Sequence, residues 1–202
     1  MRRWFAVIIA FAACEPESDS EDILGTLLSL SPLETAPLDR TNAVGENSAA
    51  ASLGEQLFSD TRLSANGEVS CASCHKSSHG FADDQPLSKG LSTPPRHTPS
   101  VIHTAWSRWF FWDGRADSAW SQALKPLESD AEHGFNRLAI GHLLESDATL
   151  NSEYEAVFGP LPDFSDLERF PADARPMTDE NHADHIAWET MTTSDQETIN
   201  RV

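Results

Sequence analysis

Cys71-Ala72-Ser73-Cys74-His75 is the stretch on which the fold of this chain turns. Two thiols three positions apart, followed at once by an imidazole, form the C-x-x-C-H signature of covalent haem attachment. Each thiol can add to one vinyl group of a porphyrin, giving two thioethers. The adjacent His then lies under the iron and serves as its proximal ligand. Two other chemistries compete for the same residues. A redox C-x-x-C with an incidental His belongs in an alternating strand and helix pattern, which this sequence lacks. A structural zinc site needs about four ligands at close spacing, and no second Cys pair is present. Cys71 and Cys74 are therefore expected to hold one haem c, with His75 as the proximal ligand of its iron.

The chain has three Cys in all. The third, Cys14, closes a different pattern. Met1-Arg2-Arg3 is followed by an apolar run from Trp4 to Ala13, with Phe11-Ala12-Ala13 directly before the Cys. A basic start, a short apolar core and small residues before a cut describe a signal peptide over residues 1–13. The run is about half the length a bilayer-spanning helix needs. A Cys after small residues also resembles the lipobox of bacterial lipoproteins, in which that Cys is acylated and becomes the new N-terminus. Phe11 departs from the Leu usual at its position. The other reading is an ordinary signal peptide with Cys14 lost or left free. Both send the protein to the periplasm, and the lipobox adds a lipid anchor to the membrane at Cys14.

Beyond Cys14, Glu15-Pro16-Glu17-Ser18-Asp19-Ser20-Glu21-Asp22 has no packing face and reads as a solvated tether. Ile23 to Leu30 is apolar enough to touch a domain, and Pro32, Pro37 and Asn42 break regular structure. Residues 14–47 thus form an acidic tether and irregular lead-in, and residues 48–202 remain for one domain with a real core. A formal charge of −18 argues against nucleic acid and anionic lipid as partners, and suits a basic small redox protein.

The periodicity is helical. Leu53 and Leu57 share a face of a helix expected over Ala49 to Phe58. Residues 59–105 read as loop, broken by Pro86, Pro94, Pro95, Pro99 and several Gly. Asp117 is placed to cap a helix running to about Leu124, which Pro126 would stop. Leu138 to Leu144 and Glu153 to Phe158 predict two more short helices. Ser194-x-x-Glu197 reads as a capping box opening a last helix, with Ile199 and Val202 on one face. Alternating strand patterns are absent. The fold class is all-α, a cytochrome c-like domain with long loops around a covalently bound haem.

A longer pattern then emerges. Leu53-Gly54-Glu55-Gln56-Leu57-Phe58-Ser59-Asp60-Thr61-Arg62-Leu63-Ser64 precedes Ser70 and the haem motif. Gly80-Phe81-Ala82-Asp83, Arg96-His97-Thr98-Pro99-Ser100 and Phe111-Trp112-Asp113-Gly114-Arg115 follow it. In order and spacing this resembles the bacterial di-haem cytochrome c peroxidase family, which includes the methylamine dehydrogenase maturase. The likeness covers roughly residues 45–160 and implies the N-terminal, peroxidatic haem domain. It implies that Trp112 lies between two haems and helps electron transfer, and that Gln122 and Glu132 are the distal pair that handles peroxide. Splitting O–O heterolytically means moving a proton from the inner to the outer oxygen, which a carboxylate above the iron can do while an amide holds the peroxide. Asp113 and Arg115 are expected to fix their turn or to meet a haem propionate.

The sequence also departs from the family. In some relatives a His in the loop after the haem motif closes the resting iron; the matching stretch near Leu91 has none, and His97 stands where Asn is usual. The iron is therefore five-coordinate with an open distal site, or takes His97 or His103 as sixth ligand. Only one C-x-x-C-H is present, so the chain is expected to be cut before a second haem domain, with a natural single-haem protein as the alternative. The calcium that relatives hold between their two domains would lie at an interface not present here. The implied activity is reduction of hydrogen peroxide to water with electrons from a small c-type cytochrome or cupredoxin. The rivals are a non-catalytic single-haem electron carrier and a maturase-like oxidase acting on a protein substrate.

Overall fold

The computed structural model describes residues 20–30 and 35–200. Cys14, the signal sequence and most of the acidic tether lie outside the described residues, as does Val202. The chain divides into two units, Met1–Ala36 and Pro37–Val202. In the first, helix α1 runs over Ser20–Ser29, inside the stretch whose composition reads as irregular. Leu24, Leu27 and Leu28 recur at helical spacing, which accounts for it.

The second unit is built on three helices. Helix α2, Ser48–Ser59, starts where the Asn47 side chain accepts from the Ala49 and Ala50 N–H groups. Helix α5 spans Arg137–Ser146 and α6 spans Ala148–Phe158. Asp147 ends the first of these and caps the second, accepting from the Thr149 and Leu150 N–H groups. Helix α6 packs on both α2 and α5. Leu53, Leu144, Leu150 and Tyr154 fill the space between them.

Between α2 and α5 the chain is mostly loop, as the prolines predict. It contains the single helical turn α3, Cys71–Cys74, and the 3₁₀ turns Thr61–Leu63, Ser77–His79 and Thr104–Trp106. Among the described residues there is no strand, only the isolated bridges Lys76–Ala82 and Phe110–Ala116. The all-α expectation agrees with the structure.

Helix α4 corrects the sequence at both ends. It spans Ala119–Glu128, is capped by Ser118 rather than Asp117, and runs two residues past Pro126. A proline inside a helix removes one N–H and so leaves one carbonyl of the preceding turn without its partner. Here the helix ends within the next turn, and the Pro126 carbonyl receives the Ser129 and His133 N–H groups at 3.3 and 3.2 Å.

The remaining helices build a second core. Helix α7, Ala183–Thr190, has no counterpart in the sequence reading. Helix α8, Thr193–Ile199, is capped by Thr192 rather than Ser194. Thr192 and Asp195 satisfy one another: the Asp195 N–H donates to Thr192 Oγ1 at 3.2 Å, and Thr192 Oγ1 donates to Asp195 Oδ2 at 2.9 Å. Ile199, 2% exposed, packs with Leu138, Phe164, Phe170 and Trp188. Burial, not length, holds so short a helix.

Candidate haem site

Helix α3 presents the motif on one turn. The Ser70 N–H donates to Ser73 Oγ at 3.0 Å, and the His75 N–H donates to the Cys71 carbonyl at 2.8 Å. His75 Nδ1 lies 3.0 Å from the Phe81 carbonyl oxygen. A carbonyl only accepts, so Nδ1 carries the proton and Nε2 is left for a metal. Phe81 is brought there by a tight turn in which Gly80 and Phe81 both have positive φ, +62° and +56°. The turn is locked by Phe81 N–H to the Lys76 carbonyl at 2.8 Å and Lys76 N–H to the Ala82 carbonyl at 3.0 Å. A Lys76–Asp84 pair at 2.6 Å spans its outer side.

Cys71 and His75 open onto a cavity of about 400 Å³. Leu57, Phe58, Leu63, Val101, Leu127 and Ile140 make much of its wall, and Gln122, Arg137 and Asn200 are among its polar groups. An apolar slot with the Cys71 thiol and one pinned imidazole on its wall, few polar groups, and Cys74 on the same helical turn fits a covalently held macrocycle. The thiols fit too. Burial pushes Cys71 and Cys74 above their ordinary value, whereas a redox C-x-x-C needs a depressed thiol. At Cys74 the carboxylates of Asp83 and Glu132 push the same way, so both lie within electrostatic reach of that sulfur.

The residues expected to act divide by position. Gln122, half-buried on α4, lines the cavity with Cys71 and His75. Glu132 does not line it. It sits half-buried in the turn after α4, with its N–H donating to the Ser129 carbonyl at 3.0 Å. Trp112 is away from the cavity wall and 71% exposed, with the Arg96 guanidinium 4.1 Å above its ring. Beside it, Arg115 pairs with Asp113 at 2.7 Å and lies 3.6 Å over the Phe111 ring, so this pair does fix its turn.

Neither histidine considered for the sixth position lines the cavity. His97 Nδ1 lies 2.7 Å from the Gln85 carbonyl and 2.8 Å from Asp83 Oδ1. Asp83 is buried and His97 half-exposed. His103 sits in a left-handed conformation, φ +67°, with its ring 5.7 Å from that of Trp106. Among the described residues no group of three or more His, Cys, Asp or Glu is arranged to hold a free metal ion.

Arg137 is the cavity residue that the sequence hides. Its Nε and Nη2 donate to the two oxygens of Glu128 at 2.7 and 3.0 Å, and Nη1 donates to Asn200 Oδ1 at 2.5 Å. The pair joins the end of α4 to the start of α5, nine residues on. That spacing is no helical repeat, so nothing in the sequence announces it.

Comparison with known proteins bears on this site. A family model described as di-haem cytochrome c peroxidase matches residues 48–196. The methylamine utilization protein MauG of Methylorubrum extorquens is 36% identical over 123 residues, covering 60% of this chain and 34% of that protein. Cytochrome c551 peroxidase of Pseudomonas aeruginosa is 32% identical over 136 residues, covering 65% of this chain and 35% of that protein. The chain thus spans about a third of the length of these curated relatives. Among solved structures, a MauG-like protein associated with microbial copper homeostasis superposes with a TM-score of 0.56 at 24% identity, over 84% of this chain and 44% of that one. The diheme peroxidase BthA of Burkholderia thailandensis gives 0.53 at 23% identity, over 81% and 40%. Both share the fold.

Proposed function

The chain belongs to the di-haem cytochrome c peroxidase family, and from that premise we propose that residues 48–202 are its peroxidatic haem domain. The reaction is reduction of hydrogen peroxide by two electrons and two protons to two waters. The electrons come from a small c-type cytochrome or cupredoxin. The protein works in the periplasm, tethered through a lipid on Cys14. The whole enzyme carries a second haem domain, with Trp112 on the electron path between them and calcium at the interface.

The observation that carries this reading is the pinned His75 beside Gln122 on one apolar cavity. Cys71, Cys74 and His75 would hold haem c, which would supply an iron able to bind peroxide and exchange electrons. The Phe81 carbonyl fixes the His75 tautomer and strengthens its Nε2 as a donor. Gln122 holds the peroxide through its amide. Glu132 stands off the cavity wall, and its part rests on the family resemblance and on its carboxylate lying within electrostatic reach of Cys74. It would take the proton from the inner oxygen and return it to the outer one, which leaves as water. The apolar wall excludes bulk water and so strengthens these few polar contacts. The likeness to MauG carries a second reading, in which a protein substrate rather than a cytochrome gives up the electrons through exposed Trp112.

Replacement of Glu132 by Gln keeps the shape and removes the proton acceptor. The reaction of the ferric protein with peroxide should slow by about 10²–10⁴-fold, the usual worth of general acid–base catalysis. An unchanged rate would reduce Glu132 to an ordinary carboxylate.

A further inference from the structure

Residues 88–92 touch the haem-attachment turn on one side and the Glu132 turn on the other. Ser88 Oγ lies 2.5 Å from Thr98 Oγ1, and the Lys89 carbonyl oxygen lies 3.5 Å from Cys74 Sγ, a sulfur that keeps its place but has no proton to donate once it is a thioether. Two residues on, the Leu91 N–H donates to the Glu132 carbonyl at 3.0 Å and the Ser92 N–H donates to the Ala131 carbonyl at 3.0 Å. Gly90 sits between these two sets of contacts. A Cβ built there would lie 2.6 Å from the Ala131 carbonyl oxygen, 2.6 Å from Glu132 Cα and 2.8 Å from the Glu132 carbonyl oxygen. All three are backbone atoms, which cannot swing aside as a side-chain tip can. The requirement for glycine here is close approach of two backbones, one of the uses to which its missing Cβ is put. The neighbouring Leu91 side chain is seated over Gly134, where an added Cβ would come within 2.6 Å of Leu91 Cδ1. Segment and turn are thus keyed together at two glycines and two backbone hydrogen bonds.

We propose that Gly90 is a positioning residue for Glu132: by letting residues 88–92 lie flat on the 129–134 turn, it sets the distance from the Cys74 attachment point to the Glu132 backbone. This rests on the role given to Glu132 above. A side chain at position 90 pushes the turn away and carries the carboxylate with it. Displacement of a catalytic group by about 1 Å can cost on the order of 10²-fold in rate.

The test is a double-mutant cycle on the haem-loaded chain, reading the rate of the ferric protein with peroxide in Gly90→Ala, Glu132→Gln and the pair. Haem content and the ferric absorption spectrum are recorded alongside. Gly90→Ala should keep its haem and react about 10–100-fold more slowly. In the Glu132→Gln background the same substitution should change the rate by less than about 2-fold, because the group it displaces no longer acts. Equal losses in both backgrounds would make Gly90 a merely structural residue and overturn the proposal, as would a normal rate in Gly90→Ala. If Glu132→Gln alone reacts normally, the role of Glu132 has failed and Gly90 loses its purpose with it; that outcome is visible without any change at Gly90. Should Gly90→Ala fail to retain haem, Leu91→Ala provides the second route. It leaves both backbone hydrogen bonds in place, removes the side chain seated on Gly134, and should slow the reaction only while Glu132 is present; a loss of equal size without Glu132 would overturn the proposal.

Discussion

His75 shows what one residue's surroundings add to a motif. C-x-x-C-H points to His75 as the proposed ligand, but the Phe81 carbonyl at 3.0 Å decides which ring nitrogen is available. That partner lies six residues downstream and arrives through a turn with two positive φ values, one of them on a phenylalanine. Gly80 in the sequence suggests a turn; nothing in it says that the Phe81 carbonyl faces the imidazole. Gln122 was legible from the family pattern and does line the cavity, whereas Arg137, paired with Glu128, carried no signal. At this scale the attachment itself is testable. If Cys71 and Cys74 form thioethers, acid–acetone extraction of the denatured protein should leave the haem on the chain. His75→Ala should keep the thioethers chemically accessible yet lower the yield of haem-loaded protein, because the strong proximal ligand is gone. Haem recovered in the organic phase from the unaltered protein would contradict the assignment.

The helices divide according to what sets their ends. Helices α2 and α5 are legible because apolar residues recur at helical spacing and are buried, Leu53 on α2 and Leu138 and Leu144 on α5. Helix α6, in contrast, begins at Ala148, five residues before the Glu153 that the sequence suggests, because Asp147 caps it there and Leu150 is buried on the added part. Helix α4 was misread through Pro126, a strong breaker locally but tolerated one turn from the helix end. Helix α8 was misread because Ser194 and Thr192 are both competent caps, and the choice is made by Asp195. That carboxylate accepts from Thr192 at 2.9 Å and pairs with Arg169 at 2.6 Å while nearly buried. The Arg169 guanidinium holds its pKa below the usual carboxylate range. A depressed folded-state pKa gives stability that is full above the unfolded value, about 4, and is lost as pH falls through the folded one. Thermal unfolding should therefore find Asp195→Asn less stable than the parent near neutral pH, with the difference shrinking as pH drops below about 4. A difference independent of pH would mean that the pair contributes through shape and not through charge.

For the whole molecule, charge and aromatic exposure are unevenly spread. The chain carries −18, yet Trp112, 71% exposed, lies under the Arg96 guanidinium. Trp106, Trp109 and Trp120 are exposed as well. Sequence alone marks Trp112 by its Phe-Trp-Asp-Gly-Arg setting, but it cannot say that the ring stands clear of the haem cavity. On the proposed electron path this ring should be the first protein group oxidised when peroxide is added without a donor. Peptide mapping should then find the added oxygen at Trp112, and Trp112→Phe should move it elsewhere; damage confined to the haem, with Trp112 intact, would remove the residue from the path.

The central claim is that the cavity beside His75 holds a haem whose far side is open to peroxide. Mixing the ferric, haem-loaded protein with one equivalent of hydrogen peroxide in a stopped-flow spectrometer tests it most directly. The ferric protein should show a high-spin spectrum before mixing and a rapid change in the haem bands after it, at a rate that rises with peroxide concentration. A low-spin spectrum that peroxide leaves unchanged would mean a closed iron and make the protein an electron carrier.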